Sequence, residues 1–147
     1  MHRRAAALCL VLCVATAAAC TLKDEWAVPD DVAAPPADAH RTASGIASKV
    51  LRVGLGGVRP TATSTVTVQY AGWQTDGTMF DGPAMHGGPQ TFRLDQVIDG
   101  WTEGLQLMVR GEKRRFWIPG PLAYDNIDRP GSPKGMLVFD IELLEVR

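Results

Sequence analysis

Beyond residue 42 the apolar and polar positions alternate along most of the chain, with a period nearer two than 3.6. Thr65-Val66-Thr67-Val68-Gln69-Tyr70 alternates strictly, which puts Val66, Val68 and Tyr70 on one face of a strand. Leu137, Phe139, Ile141 and Leu143 do the same within a last strand from Met136 to Val146. Shorter strand-like runs are Lys49–Val53, Thr78–Asp81, Thr91–Leu94 and Glu112–Ile118. They are separated by turn signals at Gly54-Leu55-Gly56-Gly57, Gln74-Thr75-Asp76-Gly77, Gly82 to Gly88 and Pro119-Gly120-Pro121, and Asp76-Gly77 favours a hairpin.

One stretch breaks the alternation. Val97-Ile98-Asp99-Gly100-Trp101 runs two β-branched residues into an Asp-Gly corner. Trp101, Leu105 and Met108 then recur at i, i+4 and i+7, one face of a short helix that Asp99 could cap and Gly111 would stop. A Trp in the first turn of a helix that follows a strand suits the floor of an apolar pocket; plain core is the other reading of the same spacing. Together the periods predict an α+β domain, an antiparallel sheet of five to six strands half-wrapped around one short helix.

Composition adds bounds. The 147 residues suffice for one domain with a real core, and 46% hydrophobic with 21% charged residues is ordinary for a globular chain. A net charge of −1 gives no electrostatic case for nucleic acid. Lys113-Arg114-Arg115 is the one basic run, and its alternation with Phe116 and Ile118 reads as a strand bearing solvated charges.

The first 19 residues read as a secretory signal. Met1-His2-Arg3-Arg4 is a positive leader, and Ala5–Ala19 is an uncharged apolar run too short to span a bilayer comfortably. Cys9 and Cys13 leave with that segment, so Cys20 is the only thiol of the mature chain. Its place directly after Ala17-Ala18-Ala19 resembles the bacterial lipobox, although that pattern prefers Leu at position 17. The expectation is a lipid-modified Cys20, with Thr21 beside it resembling cargo for the outer membrane facing the periplasm. A soluble periplasmic or secreted protein is the alternative. Loss of Arg3 and Arg4 leaves 13 basic and 16 acidic side chains, so any hold on a membrane is expected through the lipid. Residues 20–41 carry Pro29, Pro35, Pro36 and several acidic residues without a regular period, which reads as a flexible tether with a reach of roughly 25–30 Å. The globular domain is then 42–147.

Little covalent chemistry is on offer. Gly54–Gly57 is followed by no Lys-Ser/Thr and no helical pattern, so it is a turn and not a phosphate loop. Asp81 is one carboxylate without a partner, a poor case for a general acid or base, and His86 has no second His at ligand spacing. With no Ser-His-Asp or Cys-His arrangement, neither metal nor cofactor is expected.

The motifs Val66-x-Val68-x-Tyr70-x-Gly72, Asp76-Gly77-x-x-Phe80-Asp81, Val97-Ile98-x-Gly100-Trp101-x-Glu103-Gly104-Leu105, Ala123-Tyr124 and Leu137-x-Phe139-x-Ile141-x-Leu143 occur in an order that resembles FKBP-type peptidyl-prolyl isomerases. The resemblance covers about Thr42 to Val146. It implies a proline pocket between sheet and helix, with Tyr70, Phe80, Asp81, Ile98, Trp101 and Tyr124 as the catalytic set and Val97 and Phe139 as further substrate contacts. Trp101 would be its floor, and the Ile98 N–H and Tyr124 hydroxyl would hold substrate carbonyls. The implied activity is cis–trans isomerisation of X-Pro bonds in unfolded or folding exported proteins, without a covalent step. A non-catalytic peptide-binding or chaperone module on the same fold is the alternative. The resemblance also implies macrolide inhibitors as a ligand class, while the lack of a dimerisation segment in the chain predicts a monomer. Three features depart from the family pattern: Gln90 where an aromatic is usual, Asp125 where Gly usually follows the Tyr, and a short loop over 126–134.

Overall fold

A computed structural model describes residues 24–147. The signal segment and Cys20 lie outside the described residues. Seven strands form one antiparallel sheet: β1 (His40–Arg41), β2 (Ala47–Arg52), β3 (Thr65–Gln74), β4 (Met79–Asp81), β5 (Gln90–Arg93), β6 (Lys113–Ile118) and β7 (Leu137–Val146). Their order across the sheet is β1-β2-β6-β7-β3-β4, and β5 pairs with the first half of β3 while β4 pairs with its second half. Two helices interrupt the strands, the single turn α1 (Pro83–His86) and α2 (Asp99–Leu105). The fold is the antiparallel sheet around one short helix of more than a turn that the periods predict. The additional strand is the two-residue β1.

The register explains the core. Tyr70 pairs with Ile141, Gly72 with Phe139, and Phe116 with Phe139, so the inward positions of β3, β6 and β7 meet on one face. There they pack with Trp101, Leu105 and Met108 into one buried cluster. Helix α2 lies close to the sheet because Gly100 and Gly104 present no side chain: a Cβ on Gly100 would overlap Ile118 Cγ2, and one on Gly104 would come within 2.9 Å of the Phe116 ring.

Two local expectations about α2 are corrected. Asp99 is its first residue and not its cap, since Ile98 occupies the N-cap position and no side chain caps it. The helix also ends at Leu105 rather than continuing to Gly111. Leu107 N–H donates to Gly104 O at 3.0 Å and Met108 N–H to Leu105 O at 3.1 Å, the tighter three-residue spacing of a chain leaving the helix. Met108 is nevertheless fully buried.

The larger departures are on the opposite face. Residues 24–41, expected as a flexible tether, lie along the sheet in the structure. Trp117 Nε1 donates to Asp31 O at 3.0 Å, Arg115 Nη1 reaches Asp31 Oδ1 at 2.6 Å, and Val32 and Ala39 pack on a small cluster of Ala47, Trp117 and Val138. The basic run is likewise not a row of solvated charges. Lys113 is only 6% exposed, with its ammonium 3.9 Å from the Trp26 ring centroid and 3.2 Å from Glu25 O. Arg115 forks onto buried Asp140 at 2.6 and 2.7 Å. The acidic and aromatic residues that look like a solvated linker are partners for these cations, supplied from far away in sequence. No local period could reveal such pairing.

Candidate functional site

On the helix face, between α2 and the strands, lies a cavity of about 420 Å³. Every residue that the family resemblance nominates among the described residues lines it: Tyr70, Phe80, Asp81, Val97, Ile98, Trp101, Tyr124 and Phe139. Strand β3 supplies Tyr70, β4 supplies Phe80 and Asp81, and β7 supplies Phe139. The corner before α2 carries Val97 and Ile98, and Trp101 sits in the helix's first turn. Phe92, Gln96, Ile127 and Arg129 complete the lining. Phe92 shares the inner face of β5 with Gln90, while Thr91 and Arg93 point outward. Ile127 and Arg129 belong to the short loop after Tyr124, whose position has no periodic signal.

The aromatic rings hold one another edge to face. Trp101 meets Tyr70 at 4.9 Å between centroids, Phe139 at 5.5 Å and Phe92 at 5.6 Å, each nearly perpendicular. Phe80 meets Phe139 the same way at 5.5 Å, and both rings lie where a Cβ on Gly72 would be. Such pairs contribute about 0.5–1.5 kcal/mol each beyond burial and lock ring orientation, so the wall is preformed.

Polar groups are few and specifically placed. The Tyr70 hydroxyl donates to Asp81 Oδ2 at 2.6 Å, while Asp81 Oδ1 accepts the Gly82 N–H at 2.9 Å. Burial pushes the Tyr70 phenol well above its ordinary pKa, and the Asp81 carboxylate adds to the shift by accepting its proton in a hydrogen bond and by repelling a second negative charge. Burial also raises the Tyr124 phenol. Both phenols therefore stay neutral donors at any physiological pH. Among the described residues, the Tyr124 hydroxyl and the Ile98 N–H have no hydrogen-bond partner. The buried Trp101 indole N–H has none either.

His86 entered the sequence reading only as a poor metal ligand. In the structure it stacks on Tyr70 at 4.5 Å and 16°, with Nδ1 2.9 Å from Gly88 O and Nε2 3.2 Å from Tyr70 O. Gln90, standing where an aromatic is usual, donates to His86 O at 3.0 Å and Gly88 O at 3.2 Å. The pair ties the α1 turn to the outer side of Tyr70. Asp125 accepts the Gly135 N–H at 2.7 Å and so pins the two ends of the short 126–134 loop. This arrangement can receive an apolar ring on aromatic walls and offer single donors at its edge. It contains no nucleophile with an adjacent base.

A family-wide sequence profile described as FKBP-type peptidyl-prolyl cis-trans isomerase matches residues 56–144. The chain is 47% identical over 106 residues to the FKBP-type peptidyl-prolyl cis-trans isomerase FkpA of Aeromonas hydrophila, a match over 71% of this chain and 39% of that protein. It is 42% identical over 106 residues to the outer membrane protein MIP of Legionella longbeachae, over 71% of this chain and 45% of that protein. The chain thus spans less than half the length of these curated relatives. Among solved structures, that of Escherichia coli FkpA aligns with a TM-score of 0.69 at 41% identity, covering 76% of this chain and 53% of that one. A peptidyl-prolyl cis-trans isomerase from Pseudomonas syringae aligns with a TM-score of 0.67 at 40% identity, covering 76% and 82%.

Proposed function

Because this chain belongs to the family of FKBP-type peptidyl-prolyl cis-trans isomerases, we propose that it catalyses cis–trans isomerisation of X-Pro bonds in its aromatic cavity. The observation that carries this reading is an apolar hollow of interlocked rings whose edge residues, Ile98 and Tyr124, each bring a donor with no partner in the protein. Amide resonance sets a rotation barrier of about 18–20 kcal/mol, and a prolyl bond is the one whose two planar forms are close in energy. The planar amide is more dipolar than the twisted one. An apolar wall of Phe80, Trp101 and Phe139 therefore disfavours the planar ground state relative to the twist. The Ile98 N–H and the Tyr124 hydroxyl hold flanking carbonyls, which fixes one side of the bond while the other turns. A thousandfold acceleration needs roughly 4 kcal/mol, within reach of desolvation and two placed hydrogen bonds.

Tyr70 and Asp81 act through each other: the hydrogen bond orients the ring against Trp101 and fixes the carboxylate at the cavity wall. The substrates in this reading are proline-containing segments of unfolded or folding exported proteins, with macrolides as competing ligands of the same hollow. We place the protein in the bacterial cell envelope, exported by residues 1–19, lipid-modified at Cys20 and working as a monomer through its isomerase domain, on which residues 24–41 pack. The outer membrane protein named among its relatives supports that location. A proline-peptide isomerisation assay on the purified chain tests the activity. Rates above background that fall in the Phe80→Leu variant are expected. A folded chain with only the background rate would overturn the enzyme reading and leave a peptide-binding module.

A further inference from the structure

We infer that the loop Val53–Val58 is a membrane-contacting surface that lays the domain against the bilayer holding its lipid anchor. The loop presents Val53, Leu55 and Val58, which are 83%, 82% and 80% exposed, the three most exposed large apolar side chains among the described residues. Val50 and Leu51, at the end of β2 just before the loop, are also partly exposed. Its base is fixed: Leu55 N–H donates to Arg110 O at 2.8 Å, and Gly54 sits so close to Val109 and Glu112 that a Cβ would collide with them. Its tip stands clear, since nothing lies within 4 Å of a Cβ position on Gly56 or Gly57. An isolated exposed apolar side chain needs no explanation, but three on one protruding, anchored loop do.

The charges around the loop and the path of the chain select the occupant. Exposed Arg59 and Arg110 flank the apolar tip, and neither pairs with a carboxylate among the described residues. Arg59 also donates to Leu107 O, which holds it at the foot of the loop, while Arg52 next to Val53 pairs with Glu25 and Glu142. Apolar side chains flanked by two arginines free of carboxylates suit a bilayer with anionic headgroups. The described chain also begins beside this loop: Glu25 Oε1 is 3.9 Å from Arg52 Nη1, and Arg52 directly precedes Val53. Cys20 is four peptide steps from Asp24, a distance of at most about 14 Å. With residues 24–41 packed on the sheet, a lipid on Cys20 therefore brings loop 53–58 to the membrane surface in place of a free 25–30 Å swing.

The inference rests in part on the lipidation proposed above, and the test separates the two. With Cys20 acylated and Cys9 and Cys13 removed, Val58→Cys supplies the one free thiol of the mature chain. It is labelled with a polarity-sensitive fluorophore, and the lipidated protein is reconstituted in vesicles of phosphatidylethanolamine and phosphatidylglycerol. Asp128→Cys, on the exposed loop beyond Tyr124, is the control. A blue-shifted emission at 58, quenched by nitroxide lipids at least about threefold more strongly than at 128, is expected. Equal quenching at both positions overturns the inference, as does a shift at 58 that follows protein concentration and not vesicles, which marks a contact between two copies. The mass of the mature N-terminus reports acylation separately. If no acyl group is found, the anchor reading fails, and a vesicle-induced shift at 58 alone then decides the loop's role.

Discussion

Replacing Tyr70 with Phe removes one atom from the site and leaves its packing in place. The stack on His86 and the edge contacts with Trp101 and Phe92 involve the ring and persist. What is lost is the 2.6 Å bond to Asp81 Oδ2. A hydrogen bond to a charged group contributes about 1.5–3 kcal/mol, but Asp81 is half-buried and keeps the Gly82 N–H, so water can replace part of the loss. A destabilisation of about 1–2 kcal/mol follows, or a fall of roughly 4–8 °C in Tm for a domain of this size. The pH dependence has a definite sign. The folded phenol titrates above its unfolded value, so its contribution is complete below pH of about 10 and fades only as the pH rises through the folded value. Denaturant unfolding of wild type and Tyr70→Phe should therefore give parallel stabilities from neutral pH up to about 10 and converge above it. With the carboxylate no longer restrained, kcat/KM should drop severalfold in the same variant. Equal stability at neutral pH, or a gap that stays constant in strong alkali, would refute this account of the Tyr70–Asp81 pair.

Other perturbations separate stability from activity. Tyr124→Phe deletes a hydroxyl that has no partner among the described residues, so stability should move by no more than about 0.5 kcal/mol while kcat/KM falls roughly tenfold in the proline-peptide assay. Arg115→Leu strands Asp140, which is 2% exposed, and should cost about 3–5 kcal/mol in denaturant unfolding. Asp31→Asn, which spares that buried pair, should leave the domain folded but make the 24–39 segment a site of early cleavage in limited proteolysis. Gly100→Ala drives a methyl into Ile118 and should destabilise by about 1–3 kcal/mol, with a weakened KM as the helix lifts Trp101.

Sequence and structure divide the protein along the range of the interactions concerned. Period-two alternation in 65–70 and 137–143 is a local property of the backbone, and it predicted strands β3 and β7 with the faces they bury. The family resemblance carried by the five motifs named Tyr70, Phe80, Asp81, Ile98, Trp101 and Tyr124 together, and the fold brings all six to the wall of one cavity. Missing from any local pattern were Ile127, Arg129 and the His86 stack, since each depends on how an irregular loop closes over the rings. Residues 24–41 are the clearest case. By composition they cannot build a core of their own, and read alone they are a tether. Asp31 and Trp26 acquire partners only once β6 has set Arg115, Trp117 and Lys113 on the sheet's outer face, more than eighty residues away in the chain. Alternation and motif order pointed to most of the strands, to the start of the helix and to eight of the twelve residues around the hollow. The folded sheet alone decided that the leading segment lies down on it, because a buried cation takes its counter-charge from whatever the fold brings near.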